Sequence, residues 1–106
     1  MSIKVFNTLS GQKEVLRKPW FRALKLFVCG QTVYDHAHLG HARIYIAFDD
    51  IVRYLRNRGF KITYAQNITD IDDKIIERAR EQNKKWSEVA DFFIKAYMED
   101  MEALGV

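Results

Sequence analysis

The stretch that decides the fold is ALKLFVCG, residues 23–30, an apolar run of strand length that stops at a glycine. Such a run predicts a strand buried in a sheet. From Leu39 onward the apolar residues recur at helical spacing, and Gly59 fits the position just beyond a helix end. A second strand-like run, KITYAQ at 61–66, follows. A helix between two apolar strands predicts a right-handed crossover and a parallel sheet, so the chain is expected in the α/β class.

The flanking segments extend this pattern in both directions. The apolar residues 3–6, IKVF, predict a short strand, and the polar residues 7–20 predict a loop. Downstream, Asp70 is expected to cap a helix that starts at Ile71, and Ser87 to cap a last helix. Packing in the core or at a hinge is expected for Trp20 and Trp86. Phe92, Phe93 and Tyr97 fall at helical spacing and are expected in the core rather than in a base-stacking platform.

Length and composition indicate one small globular domain. The chain has 106 residues, of which 48% are hydrophobic and 13% aromatic. The net charge of +3 is compatible with RNA or a nucleotide as partner but does not demand one. A single cysteine rules out an internal disulfide and suits a reducing compartment. No apolar run has the roughly 20 residues of a membrane helix, and no signal-peptide core is present, so we expect a cytoplasmic protein with no membrane partner.

The stretch VYDHAHLGHAR, residues 33–43, holds all three histidines of the chain, His36, His38 and His41. Together with Cys29 they make four potential zinc ligands, although their short spacing is awkward for a tetrahedral site. A helix that starts here would instead offer free N–H groups to a phosphate, with histidine side chains as further donors. The third interpretation is an exposed loop beside a core cysteine. The pattern alone leaves all three open.

Two charged groups each have two interpretations. The run DIDDK places Asp70, Asp72 and Asp73 together, which suits magnesium, but a helix N-terminus that favours acidic residues is the preferred interpretation. Four basic residues could contact RNA phosphates, but a solvated face is the preferred interpretation. These residues are Arg53, Arg56, Arg58 and Lys61.

Several segments together resemble the cysteinyl-tRNA synthetase family. HLGH at 38–41 is similar to the HIGH motif of class I aminoacyl-tRNA synthetases. Its flanks, FVCGQTVYDHAHLGHAR at 27–43 and YAQNITDIDDKI at 64–75, resemble the cysteine-specific members, and so does VFNTLSGQKE at 5–14. The resemblance implies a Rossmann-like nucleotide-binding fold. It also implies activation of L-cysteine by ATP to cysteinyl-adenylate, with release of pyrophosphate, and transfer of cysteine to tRNA-Cys.

The resemblance also implies a role for each residue of the site. His38 and His41 would be catalytic and would contact the ATP phosphates, with Gly40 and Thr32 completing the ATP site. Cys29 would be a ligand of a zinc ion that binds the thiolate of the substrate, a discrimination that shape alone cannot make against serine. Residues that would line the substrate site are Cys29, Gly30, Gln31, Thr32, Asn67, Ile68 and Thr69.

By the same resemblance, residues 1–106 form the N-terminal part of the catalytic domain. The other zinc ligands, the KMSKS loop and the anticodon-binding region would lie further along the polypeptide, and Mg²⁺ would accompany ATP. We therefore expect a monomeric whole enzyme and little charging activity from residues 1–106 alone. Two alternatives remain: a related ligase that joins cysteine to an amino sugar, and a non-enzymatic zinc module built from Cys29 and the three histidines.

Overall fold

The computed structural model describes residues 2–106 and begins with an antiparallel hairpin. Strand β1, Lys4–Asn7, pairs with strand β2, Gln12–Val15. The turn between them is closed by the Gly11 N–H, which donates to the carbonyl of Asn7 over 2.8 Å, and Gly11 has a φ of +68°. The predicted loop over 7–20 is therefore wrong for β2. All of β2 is exposed, so it lacks the apolar alternation by which a strand is recognised.

A parallel pair of strands forms the centre of the molecule. Strands β3, Leu24–Val28, and β4, Ile62–Gln66, are joined by helix α1, Leu39–Asn57. They pair in parallel from Leu24 opposite Ile62 to the last residues of both strands. The α/β class and the parallel sheet with a crossover helix are confirmed. Gly59, at φ +81°, follows the end of α1 as predicted, because this left-handed conformation favours glycine.

The second predicted helix starts later than expected. Helix α2 runs over Asp73–Glu81, and its N-cap is Asp72, whose carboxylate accepts a hydrogen bond from the Lys74 N–H over 2.9 Å. The predicted cap at Asp70 and start at Ile71 are therefore wrong. Residue 69 is still paired with the neighbouring segment, so the chain needs two further residues before it can turn into a helix.

The last helix, α3, spans Trp86–Leu104, and Lys85 is its N-cap. The Lys85 N–H donates to the Glu88 carboxylate over 2.9 Å. The predicted cap at Ser87 is wrong, since this residue lies inside the first turn. Glu88 satisfies a free N–H group at the helix start in the way a cap side chain would.

Helices α1 and α3 cover one face of the two-stranded sheet. A cluster between them contains Val28, Tyr45, Tyr97 and Met101. A second cluster joins α3 to α2 and to the loop after β3, with Val33, Ile75 and Phe93 among its members. On the uncovered face of the sheet the exposed side chains are Lys25, Phe27, Thr63 and Ala65.

The aromatic predictions divide according to tertiary packing. Phe93 and Tyr97 are buried as expected. Trp20 is 93% exposed and Phe92 is 61% exposed, so core packing is wrong for both. Trp86 is 44% exposed and is therefore only partly packed. Over residues 2–106, no helix is both long and apolar enough to cross a bilayer.

Candidate active site

The carboxyl ends of the two parallel strands meet at Gly30 and Asn67. The Gly30 N–H donates to the Asn67 side-chain oxygen over 2.7 Å. A Cβ atom added to Gly30 would lie 1.6 Å from the Asn67 carbonyl oxygen, so no side chain fits here. The close approach of these two backbones places residues from both strand ends at one edge, which is where parallel sheets bind ligands.

Parallel pairing continues past the strands through Thr32 and Thr69. These residues form an isolated bridge, in which the Thr69 N–H donates to the Gln31 carbonyl and the Val33 N–H to the Thr69 carbonyl, over 3.0 and 3.1 Å. Both threonines are half-buried. The bridge therefore fixes the two loops of the site against each other.

The side chains of Gln31 and Ile68 point into the protein. Gln31 is 4% exposed, and its amide donates to the Asp35 carbonyl over 3.0 Å. Its Oε1 is buried and finds no hydrogen-bond partner among residues 2–106. Ile68 packs against both hydrophobic clusters. In this structure both side chains pack in the protein interior next to the candidate site. A direct contact of either side chain with the substrate stays a prediction.

Two histidines build the N-terminus of α1. His38 is the N-cap, and its Nδ1 accepts a hydrogen bond from the Gly40 N–H over 3.1 Å. His41 is the third helical residue, and its Nδ1 accepts from the His38 N–H over 3.2 Å. This is a capping box in which imidazoles replace the usual hydroxyl and carboxylate. Because each Nδ1 accepts, a neutral ring carries its proton on Nε2 and can donate it elsewhere.

The environment of these rings favours neutral imidazole at His41. Burial lowers the pKa of His41, and the neighbouring charge of His38 lowers it further. The two ring centroids lie 4.0 Å apart. No acidic residue lies in the first turn of α1, so the partial positive charge of the helix N-terminus is not neutralised there. The pair of Nε2–H donors and this terminus together suit an anion.

Gly40 leaves room for the His38 ring. A Cβ atom at this position would lie 2.9 Å from His38 Cε1 and 3.0 Å from its Nδ1. The glycine thus keeps the N-cap imidazole in place, which is a reason for glycine that the motif alone did not reveal.

Cys29 follows β3 directly and carries a free, exposed thiol. Its neighbour across the site is Tyr45, a buried residue of α1 whose ring stacks on His41 with centroids 6.4 Å apart. Burial raises the pKa of Tyr45, and the nearby Cys29 contributes to this rise. Tyr45 therefore packs beside the histidine pair, a position that its helical spacing did not predict.

The four-ligand zinc module is wrong for residues 2–106. His36 packs edge-on against Phe93 and Phe92, with ring centroids 5.2 and 6.0 Å away, so it belongs to the α3 packing. Among the described residues, no three His, Cys, Asp or Glu side chains converge to hold a metal. An exposed thiol is chemically suited to zinc, so Cys29 fits as one ligand, and zinc binding by this residue stays a prediction.

The other charged groups have structural roles. Asp72 caps α2 and Asp73 lies in its first turn, which confirms the predicted helix N-terminus for these two aspartates. Arg53 donates to Asp49 over 2.6 Å on the solvated side of α1. An interaction that sequence reasoning missed is the pair of Arg78 and Asp35, 2.8 Å apart, which ties the site loop to α2. The two residues are 43 positions apart, and no sequence signal links them.

Comparison with protein-family models identifies the class of protein to which this fold and site belong. The family model described as the class I (C) tRNA synthetase catalytic domain matches residues 17–106. The chain therefore belongs to this family of class I synthetase catalytic domains.

The two relatives compared individually are both cysteine–tRNA ligases. The chain is 55% identical to that of Pyrococcus furiosus over 104 residues, which is 98% of this chain and 22% of the relative. It is 51% identical to that of Coxiella burnetii over 106 residues, the whole of this chain and 23% of the relative. The chain thus spans less than a quarter of the length of these curated relatives.

Proposed function

We propose that this chain supplies the ATP- and cysteine-binding edge of a cysteine–tRNA ligase. In the proposed reaction the carboxylate of L-cysteine attacks the α-phosphorus of ATP and pyrophosphate leaves. A terminal ribose hydroxyl of tRNA-Cys then attacks the carbonyl carbon of the adenylate, the ester to the cysteinyl group forms, and AMP leaves. Residues 1–106 are the N-terminal part of the catalytic domain in this proposal, and the whole enzyme is cytoplasmic and monomeric.

The observation that carries the proposal is the imidazole capping box at the start of α1. His38 and His41 are held by Nδ1, so their Nε2–H groups are oriented donors beside a helix N-terminus. Donors that are fixed before the reaction stabilise charge that develops on phosphate oxygens. Gly40 and Thr32 complete the ATP side of the site, and Mg²⁺ accompanies the phosphates.

The substrate side is assigned to the paired strand ends. Backbone and side-chain groups there would hold L-cysteine and the adenylate, and they belong to Cys29, Gly30, Gln31, Thr32, Asn67, Ile68 and Thr69. Cys29 would be one ligand of a zinc ion, which when bound supplies a soft partner for the substrate thiolate. Such a partner separates cysteine from serine, whose hydroxyl bonds zinc far more weakly.

The test is cysteine-dependent exchange of labelled pyrophosphate into ATP by the whole protein. We expect exchange with L-cysteine and very little with L-serine. Absence of exchange with cysteine, or equal exchange with serine, would refute the proposal. Exchange without transfer to tRNA-Cys would point to the related ligase that joins cysteine to an amino sugar.

A further inference from the structure

Positive charge is unevenly distributed along the chain. Residues 15–34 and 51–69 contain no acidic residue, yet they hold eight of the 17 lysines and arginines. Two stretches of the chain are therefore strongly basic, although the net charge of the whole chain is only +3.

The fold brings parts of both stretches to one edge. Residues 17–22 lead into β3 and residues 58–61 lead into β4, and the Leu24 N–H donates to the Lys61 carbonyl over 2.8 Å. Lys18 crosses between them, with its Nζ 5.9 Å from the centroid of the Phe60 ring. This is the amino edge of the sheet, about 16 Å from the candidate active site, the length of a five-residue strand.

Two aromatic side chains project from this edge. Trp20 is 93% exposed and Phe21 is 97% exposed, and their ring centroids are 6.4 Å apart. Trp20 also lines a surface pocket with Lys18 and Pro19. Neither ring contributes to the two hydrophobic clusters, so packing within residues 2–106 does not explain them.

We propose that this edge binds single-stranded nucleic acid. We call it the amino-edge surface, formed by Arg17, Lys18, Trp20, Phe21, Arg22 and Lys61. Exposed cations attract a phosphate backbone, and exposed aromatic rings stack on unpaired bases. In the described part of the chain none of these four cations has an ion-pair partner, so their charge is available to a polyanion.

An anionic membrane is the competing partner and is less well matched. Surface binding to a bilayer relies on an apolar helix face, whereas residues 16–23 form no helix. The proposal does not depend on the proposed ligase activity, because the amino-edge surface and the candidate active site lie at opposite ends of the strands.

The first test measures binding of a fluorescein-labelled oligouridylate of about 12 nucleotides, within the range of single-strand sites. In the full chain, Trp20→Ala with Phe21→Ala should weaken binding about tenfold or more, since each stacked base contributes strongly. The matched control is Leu9→Ala, which removes an apolar side chain that is 96% exposed and should change nothing. In a Trp86→Phe background the remaining tryptophan reports directly, and unlabelled oligouridylate should quench its fluorescence.

The second test separates a local surface from general charge. Replacing Arg17, Lys18 and Arg22 by glutamine should weaken binding and reduce the salt slope by about 2, since each phosphate contact on a single strand contributes about 0.7. The control variant removes equal charge on α2, on α3 and between them, at Arg80, Lys84 and Lys95, and should leave binding unchanged.

Three results would overturn the proposal: no binding at low salt, equal losses in the two triple variants, or full binding by the Trp20→Ala, Phe21→Ala variant. Binding to phosphatidylserine vesicles but not to oligouridylate would assign the surface to membranes instead. Loss of ATP–pyrophosphate exchange would leave this proposal intact, because the oligouridylate assay does not use the active site.

Discussion

At the scale of single residues, each histidine of the capping box has one structural role and one proposed role. Nδ1 of each ring accepts a hydrogen bond at the start of α1, and Nε2 is proposed to donate to a ligand. The two roles can be separated, because asparagine is a better N-cap than most residues and glutamine is the usual partner at the third helical position.

We therefore predict that His38→Asn and His41→Gln keep the fold and lose activity. Each substitution retains an acceptor for the cap and removes the ring donor. Exchange by the whole protein should fall about 100- to 1,000-fold, as when an oriented donor is lost from a transition state. Thermal melting should be nearly unchanged, whereas His38→Ala should also cost about 1 kcal/mol of stability. Unimpaired exchange in His38→Asn would contradict the assignment.

The pKa of His41 predicts how stability depends on pH. Its pKa in the folded chain lies below the ordinary value, so the folded state binds fewer protons than the unfolded state near that value. Stability is therefore complete above a pH of about 6.5 and falls as the pH drops below it. Urea denaturation across this range should show a steeper loss for the natural chain than for His41→Gln. Parallel profiles would show that His41 does not contribute.

Two glycines of the site should respond in opposite ways to alanine. Gly30→Ala places a Cβ on the Asn67 backbone and should destabilise the chain by about 1–3 kcal/mol or more. Gly40→Ala meets only the His38 ring and adds a better helix former, so stability should hold while exchange falls. Melting temperature and exchange measured on both variants check this, and a stable, active Gly30→Ala would refute the first half.

At the scale of elements, α3 holds the molecule together because it joins both hydrophobic clusters. Phe93 lies in the cluster with α2, and Tyr97 lies in the cluster with the sheet and α1. The Tyr97 hydroxyl accepts a hydrogen bond from the Gln66 amide over 2.6 Å, and burial raises the pKa of Tyr97 to about 12. The hydroxyl therefore stays protonated throughout the physiological range.

Neighbouring phenylalanines of α3 provide a matched pair. Phe93→Ala should destabilise the chain by about 3–5 kcal/mol, as for buried aromatic residues in general. Phe92→Ala removes an equal side chain that is 61% exposed and should cost clearly less. Urea denaturation of the two variants measures both values, and similar losses would show that α3 packs differently in solution.

At the scale of the whole molecule, residues 2–106 bring only one suitable thiol to the site and do not assemble a metal centre. We predict that this chain alone binds zinc weakly and well below one ion per chain after dialysis. Metal analysis by mass spectrometry checks this, with Cys29→Ser as the comparison. Stoichiometric zinc in the natural chain that is lost in Cys29→Ser would contradict the prediction.

Much of this molecule could be predicted because its signals are local. The apolar run before Gly30, the helical spacing after Leu39 and the stop at Gly59 each occupy a few consecutive residues. They were enough to predict a parallel β–α–β unit and to place the histidines at its ligand-binding edge. The hairpin was not predicted because β2 has no buried face. The caps of α2 and α3 were each misplaced by two residues among several candidate side chains.

The sequence by itself determined the order of strands and helices with the exception of β2, the family, and the edge at which the motifs meet. Only the tertiary structure decided which of Phe92 and Phe93 is buried, that Trp20 is exposed, and that Gly30 must lack a side chain. These depend on contacts between segments far apart in the chain, such as Gly30 with Asn67, 37 positions later. Local periodicity carries no information about such contacts, because they arise only when the elements pack against one another.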